Sequence, residues 1–232
     1  MRTTDAGESR RYSIVSLFLM LLSNRFVYEF GRLLAKERPH FNLALPVDAR
    51  FPVLPWTLVI YFGCFIWWTA VYLRIAGLDR KKADRFFCGN LLAKGICFMF
   101  FVLFPTKLSR PEVIGCTLWD ALLRFLHRID APDNCFPSIH CMVSWLCWAG
   151  VRGRRDIPPV FRVFSLLMAV AVCLSTLTTR QHVLADIAGG VVLSEVCYAC
   201  CASPALRRAY AHLADMGMRA IASLRQRKRS VG

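Results

Sequence analysis

Six near-continuous apolar runs, each close to the ~20 residues that cross a bilayer core, most narrowly limit what this chain can become. They cover residues 13–34, 54–77, 86–105, 136–151, 157–178 and 182–203. Runs of this length cross a bilayer as helices. The first is interrupted by Arg25, Glu29 and Arg32, and no small-residue cleavage site follows its apolar stretch, so an uncleaved helix is expected. With 56% apolar residues in 232, the chain is too hydrophobic for a soluble globular domain of its length. The expected fold is all-α, a polytopic membrane bundle of about six transmembrane helices over residues 1–204, followed by a tail over 205–232.

The net charge is +15, and its placement decides what it means. Lys and Arg fall in short clusters between the apolar runs, not in a separate basic domain, which argues against nucleic acid as a partner. Most sit on one side if the N-terminus is cytoplasmic: Arg2, Arg10 and Arg11, the cluster Arg74 to Arg85, the cluster Arg152 to Arg162, and the tail from Arg207 to Arg229. That bias predicts both termini in the cytoplasm. The tail itself mixes apolar and basic positions, as an amphipathic helix on anionic lipid or a disordered polybasic end would.

This orientation leaves three connections on the far side: 35–53, 106–135 and a tight turn near 179–181. The chemistry-bearing residues gather there. Lys107 and Arg110 follow the third run, Pro137-Ser138-Ile139-His140 opens the fourth, and Arg180-Gln181-His182 with Asp186 opens the last. His182 and Asp186 are four apart, so on a helix they share a face. A carboxylate there can accept the Nδ1–H, fix the tautomer and raise the nucleophilicity of Nε2. Each element alone has a bland reading: a helix-start polar pair, an interfacial histidine, membrane-edge cations. Their convergence from three segments onto one face makes a site.

The three segments resemble the signature motifs of the type 2 phosphatidic acid phosphatase superfamily, the lipid phosphate phosphatases. Lys107 and Arg110-Pro111 resemble the first motif at shortened spacing. Pro137-Ser138-Ile139-His140 resembles the second, with isoleucine for glycine. Ser175, His182 and Asp186 match the third, whose arginine position holds Thr176 while Arg180 lies two residues before the histidine. The Phe-Pro-Ser-x-His and Arg-Gln-His forms are similar to the branch that includes inositol phosphorylceramide synthases.

The resemblance implies a two-step displacement with His182 as nucleophile, Asp186 orienting it, and His140 as the acid and base. Lys107, Arg110, Ser138 and Arg180 would hold the phosphate. Side chains supply the positive charge, so no metal or other cofactor is called for. A zinc site built from two histidines and an aspartate is the poorer reading. The expected activity is hydrolysis of a lipid phosphate or isoprenoid pyrophosphate at the outer face of the cell membrane. Transfer of a phospho-headgroup between lipids is the alternative, and a non-enzymatic transporter or scaffold is the reading from another class.

Three further expectations concern packing. Residues 111–128 should form an interfacial helix with Asp120 and Arg124 one turn apart, and Gly189, Gly190 and Ser194 a small face for close helix contact. Lys94 and Glu195 reach nearly equal depths in the third and last runs and should pair, because an ionisable group in a membrane is costly alone. Most of the 11 cysteines lie inside runs and act as small apolar residues, whereas Cys116 and Cys135 lie in the outer connection where a disulfide can form.

Overall fold

The apolar runs become helices in the computed structural model, which describes residues 6–230, with side chains from residue 7 to residue 223. The elements are α1 (Ala6–Ala35), α2 (Leu58–Ala76), α3 (Arg80–Leu103), α4 (Leu118–Ile129), α5 (Ile139–Arg152), α6 (Pro159–Thr178), α7 (Leu184–Cys200) and α8 (Pro204–Ser230). Local chemistry sets their ends. Asp79 caps α3 by accepting from the Lys82 N–H, and Thr117 and Asp120 form a reciprocal capping box at α4. Pro159 begins α6, where its missing N–H costs nothing, and Gly77 and Gly153 follow the last residues of α2 and α5. No strand occurs among the described residues; isolated bridges join Phe41 to Thr106 and Lys107 to Asp133.

Helices α3 and α5 form the centre. The first packs on α1, α5, α7 and α8, and the second on α6 and α7 as well. Phe86 and Phe87 of α3 are fully buried, and a Cβ at Gly150 would meet the Phe86 ring at 2.5 Å, so α5 needs glycine there. The outer faces are apolar: Phe18, Leu22, Ile66, Leu103, Leu167 and Val192 are all exposed. A continuous apolar exterior suits lipid and not water. The protein is an all-α, multi-pass membrane protein.

Among the described residues four helices are long and apolar enough to cross a bilayer: α1, α2 with its preceding turn, α3 and α6. The expected runs at 136–151 and 182–203 become shorter helices. Of these, α5 has 14 residues and extends ~21 Å, and α7 has 17 and extends ~25 Å. Helix α7 meets α8 at a 94° bend, and only the two together are long and apolar enough to span a bilayer, as one broken span. Proline at 204 opens α8 and ends the straight path. The described part of the tail is therefore helix, and its Tyr210 and Ala214 are buried in the main core.

Both described ends of the chain lie at one end of the bundle. Tyr12 donates to Asp84 at the start of α3, and Tyr210 bonds Ser16. At the opposite end α4 lays Leu123 and Leu126 on Leu58 and Tyr61 of α2, leaving Leu118, Trp119, Phe125 and Ile129 exposed. The sequence predicts a surface helix over 111–128; the helix found is Leu118–Ile129, and 111–117 is a non-helical segment that ends at the Thr117 cap. Asp120 and Arg124 do not pair, however: Asp120 caps the helix, and Arg124 donates to the carbonyls of Val113 and Gly115.

One expectation of pairing needs correction. Lys94 does not pair with Glu195. Its ammonium donates to the Met20 carbonyl of α1 at 2.7 Å and lies 3.3 Å from Ser23 Oγ. Glu195 accepts instead from Arg152 and from the Trp145 indole. Equal depth along two helices does not make their side chains face each other. Cys116 and Cys135 are both free thiols, Cys116 exposed and Cys135 packed beneath Leu108 and Val183.

Candidate active site

The helices around the site are placed by close backbone contact. Ser138 caps α5 by accepting from the Cys141 N–H, after a cis Phe136–Pro137 peptide. Its own N–H donates to the Asp186 carbonyl, which ties the start of α5 to α7. A Cβ at Gly190 would sit 2.7 Å from the Ser138 carbonyl and 3.1 Å from the Met142 nitrogen. Glycine at that position lets α7 approach until its first turn meets the first turn of α5. His140 and His182 come together as a result, with ring centroids 6.1 Å apart.

The two imidazoles have different surroundings. His182 is in the loop before α7, and its Nδ1 lies 3.3 Å from Asp186 Oδ2. The same oxygen accepts the Val183 N–H at 3.0 Å, capping α7 and fixing the carboxylate. Burial alone would lower the pKa of His182, but the Asp186 hydrogen bond and charge outweigh it and hold the pKa above the ordinary histidine value. His140 sits among aromatic rings instead, with Tyr61 at 4.5 Å, Trp68 at 5.7 Å and Phe65 at 5.8 Å between centroids.

Both histidines line a cavity of about 50 Å³ together with Arg110, Gln181, Ile139, Asp130, Ala131, Asp133, Asn134, Asn24 and Tyr28. Arg110 is held by backbone oxygens: it donates to the carbonyl of Asp130 at 2.6 Å and to that of Arg180 at 3.2 Å, with a further bond to Gln181 Oε1. The other expected phosphate ligands are elsewhere. Lys107 is exposed and lines neighbouring clefts. Ser138 is buried outside the cavity lining, where its hydroxyl oxygen accepts the capping bond of α5. Arg180, with a left-handed φ of 55°, points its guanidinium to the carbonyls of Asp48, Ala49 and Phe51. These bonds hold the 48–51 loop and keep the unusual backbone of Arg180 in place.

Sequence reasoning missed the rest of the lining. Asp130 accepts from the hydroxyls of Tyr28 and Tyr61, at 3.1 Å in the second case. Gln181 lies between two residues already singled out, and its polar side chain is buried beside them. Asn134, at φ 52°, donates to the Tyr28 carbonyl. The dense loop Asp130-Ala-Pro-Asp-Asn134, directly before the histidine motif, was the available signal. Among the described residues no group of three His, Cys, Asp or Glu side chains is arranged to hold a metal.

Comparison with known proteins places this architecture. Neither the curated proteins nor the solved structures contain a match. A family model described as the PAP2 superfamily matches residues 38–200, a segment that runs from the loop after α1 to the end of α7 and contains Arg110, His140, His182 and Asp186. Covering well over half of the chain, the match makes this protein a member of the PAP2 superfamily, a membrane enzyme of the lipid phosphatase and phosphotransferase type.

Proposed function

We propose that the protein cleaves a lipid phosphoester or pyrophosphate through a phosphohistidine at His182, with water as the usual acceptor. One observation carries this reading: His140 at the start of α5 and His182 in the loop before α7 line one cavity with ring centroids 6.1 Å apart, and a carboxylate backs the second. A single phosphoryl group between the rings touches both. Asp186 holds the proton on Nδ1, leaving the Nε2 lone pair free to attack phosphorus. His140 protonates the departing lipid oxygen, then takes a proton from the attacking water, so the two rings start in opposite protonation states. Arg110 is the cation nearest this chemistry and neutralises the phosphoryl oxygens as their charge develops. Lys107 and Arg180 lie outside the cavity, so their part is to shape the loops or its mouth.

The site lies at the end of the bundle opposite both described chain ends. Together with the basic clusters this supports reading it on the extracytoplasmic face of the cell membrane, with the termini and the 205–232 tail in the cytoplasm. Transfer to a lipid hydroxyl, as in the inositol phosphorylceramide synthase-like branch, is the second reading. It is favoured by the carboxylate of Asp130 in the cavity wall, which suits a hydroxyl better than a phosphate.

Purified protein supplied with a labelled lipid phosphate, in the presence of EDTA, tests the proposal. Release of inorganic phosphate marks hydrolysis, and label in a second lipid marks transfer. Replacing His182 with Ala should lower either rate by about 10³-fold or more, because the nucleophile is lost. Unchanged turnover in H182A would sink the reading, and absence of turnover in the wild type would leave a transporter or scaffold.

A further inference from the structure

A second cavity lies at the end of the bundle that holds the chain termini, opposite the histidines. It measures about 350 Å³, and its lining includes Lys82 and Arg85 of α3, Arg152 of α5, Arg154 of the loop that follows, and Glu195 and Tyr198 of α7. Helices α5 and α7 therefore meet the histidine site at their first turns and this cleft at their last.

The four cations of the lining are not equivalent. Arg152 grips Glu195, the one acid in the lining, at 2.5 and 2.7 Å, and it stacks on the Trp148 ring. Arg154 is buried and grips Asp156 at 3.1 and 2.8 Å. Those two charges are answered by carboxylates. Arg85 is held differently. Its Nε donates to the Tyr198 carbonyl at 3.0 Å, and its guanidinium lies 4.1 Å over the Tyr198 ring. Neither terminal nitrogen of Arg85 makes a hydrogen bond among the described residues, and neither does the Lys82 ammonium. Pinning a long side chain at two points costs entropy, and here it leaves a rigid charged fork without an acceptor.

A fixed guanidinium fork beside an ammonium matches the oxygens of a phosphate. The shape of α7 says what carries that phosphate. Val192, Glu195, Val196 and Ala199 are spaced by threes and fours, so they share one helix face. Glu195 and Ala199 line the cleft, whereas Val192 and Val196 are 61% and 52% exposed. The cleft-lining face thus continues toward the middle of the bundle as exposed valine. In α3 the polar first turns give way to apolar residues at Phe86, which sets the cleft at the level of lipid headgroups. A charged cleft above an apolar strip has the profile of a phospholipid, not of a free phosphate compound.

We infer that this cleft binds the headgroup phosphate of an anionic phospholipid from the leaflet at the chain-terminus end. Arg85 and Lys82 hold its oxygens, and an acyl chain lies along Val192 and Val196. No bond is made or broken there, and the site stands whether or not His182 is a nucleophile.

Native mass spectrometry of the full chain in neutral detergent, titrated with phosphatidylglycerol, gives a Kd for each lipid bound. One such Kd should rise ~10-fold in Arg85→Gln and in Lys82→Gln, as expected when a charge-assisted bond to phosphate is lost. Arg85→Lys should recover only part of the loss, because an ammonium lacks the fork. Lys82 bonds no other side chain, so Lys82→Gln keeps the test decisive if Arg85→Gln fails to fold. The same Kd should be unchanged in Arg74→Gln, which removes an exposed cation of the same end outside the cleft, and in Arg110→Ala at the histidine cavity. An equal loss in Arg74→Gln would mean general surface charge and overturn the cleft. A loss in Arg110→Ala with none in Lys82→Gln would move the lipid to the histidines and overturn it too. Glycerol phosphate bound as tightly as phosphatidylglycerol would assign a free phosphate compound and overturn the lipid.

Discussion

Several arginines are held differently at the two ends of the helix bundle, although Arg85 on the Tyr198 carbonyl and Arg32 on Asp133 each follow the other end's pattern. At the end that holds the chain termini, the guanidinium groups meet carboxylates. Arg80 bridges Asp84 and Asp215, Arg152 makes a two-point pair with Glu195, and Arg154 pairs with Asp156. At the histidine end, Arg110, Arg124 and Arg180 are held by backbone carbonyls. An arginine paired with a carboxylate is fixed and neutralised. One held by carbonyl dipoles is fixed and keeps its full charge. The first arrangement secures helices to each other, and the second presents positive charge to a mobile anion. One residue type thus serves structure at one end and, in our proposal, phosphate at the other.

The largest test of this contrast is Asp186→Asn, which alters the one carboxylate partner of His182. Asparagine keeps an oxygen for the Val183 N–H, so α7 stays capped. The imidazole loses the charge that orients it, and turnover should fall by about 10³–10⁴-fold, as when a triad carboxylate becomes an amide. The pH profile gives a second readout. Asp186 raises the His182 pKa, and the nucleophile must be neutral, so activity rises as pH passes upward through that value. Removing the carboxylate lowers the pKa, and the acidic limb should move to lower pH. A limb that stays in place would assign the titration to another group.

Next comes Arg110→Ala, with an expected loss of about 10²–10³-fold in kcat/KM and little change in melting temperature. Arg110→Lys should recover only part of the loss, because an ammonium cannot reproduce the forked contacts to two carbonyls and Gln181. Full activity in the alanine variant would break the contrast at its centre.

How much of this was legible in the sequence depends on the range of the signal. The helices were legible because apolar runs are local and long. His182 and Asp186 were legible as a pair by their spacing, although they meet through the capping carboxylate of Asp186 and not along one helix face, since His182 precedes α7. His140 was legible because the Pro-Ser cap in front of it marks a helix start. The partner of Lys94 was not legible: depth along a helix follows from counting residues, but rotation about its axis depends on packing, and that turned the ammonium to α1. Arg180 looked like a phosphate ligand by position, yet three carbonyls of the 48–51 loop claim it. Asp130, Tyr28 and Tyr61 come from three distant segments, and no local pattern marks their meeting.

Gly190 is the hinge of that packing. A Cβ at this position would lie 2.7 Å from the Ser138 carbonyl, which is backbone and cannot rotate away. Gly190→Ala should therefore push α7 from α5, destabilise the protein by about 1–3 kcal/mol and widen the gap between the histidines. Turnover should fall by more than the unfolded fraction explains, because misplacement by ~1 Å can cost about 10²-fold. Activity lost only in step with folding would mean that the contact serves stability alone.

The smallest effect belongs at the other end. Glu195→Gln removes the charge that Arg152 grips at 2.5 and 2.7 Å, while an amide oxygen remains for the Trp145 indole. The pair is partly open to solvent, with side chains 37% and 35% exposed, so screening limits its worth to about 0–1 kcal/mol. The melting temperature should drop by a few degrees at most, ~2–4 °C per kcal/mol for a chain of this size, and the drop should shrink as salt is raised. Turnover should stay within about twofold of wild type, since no part of the pair touches the histidine cavity. If Glu195→Gln instead lowered kcat/KM as far as Arg110→Ala does, the division of labour between carboxylate-held and carbonyl-held arginines would be wrong, and the two ends of the bundle would have to be treated as one coupled unit.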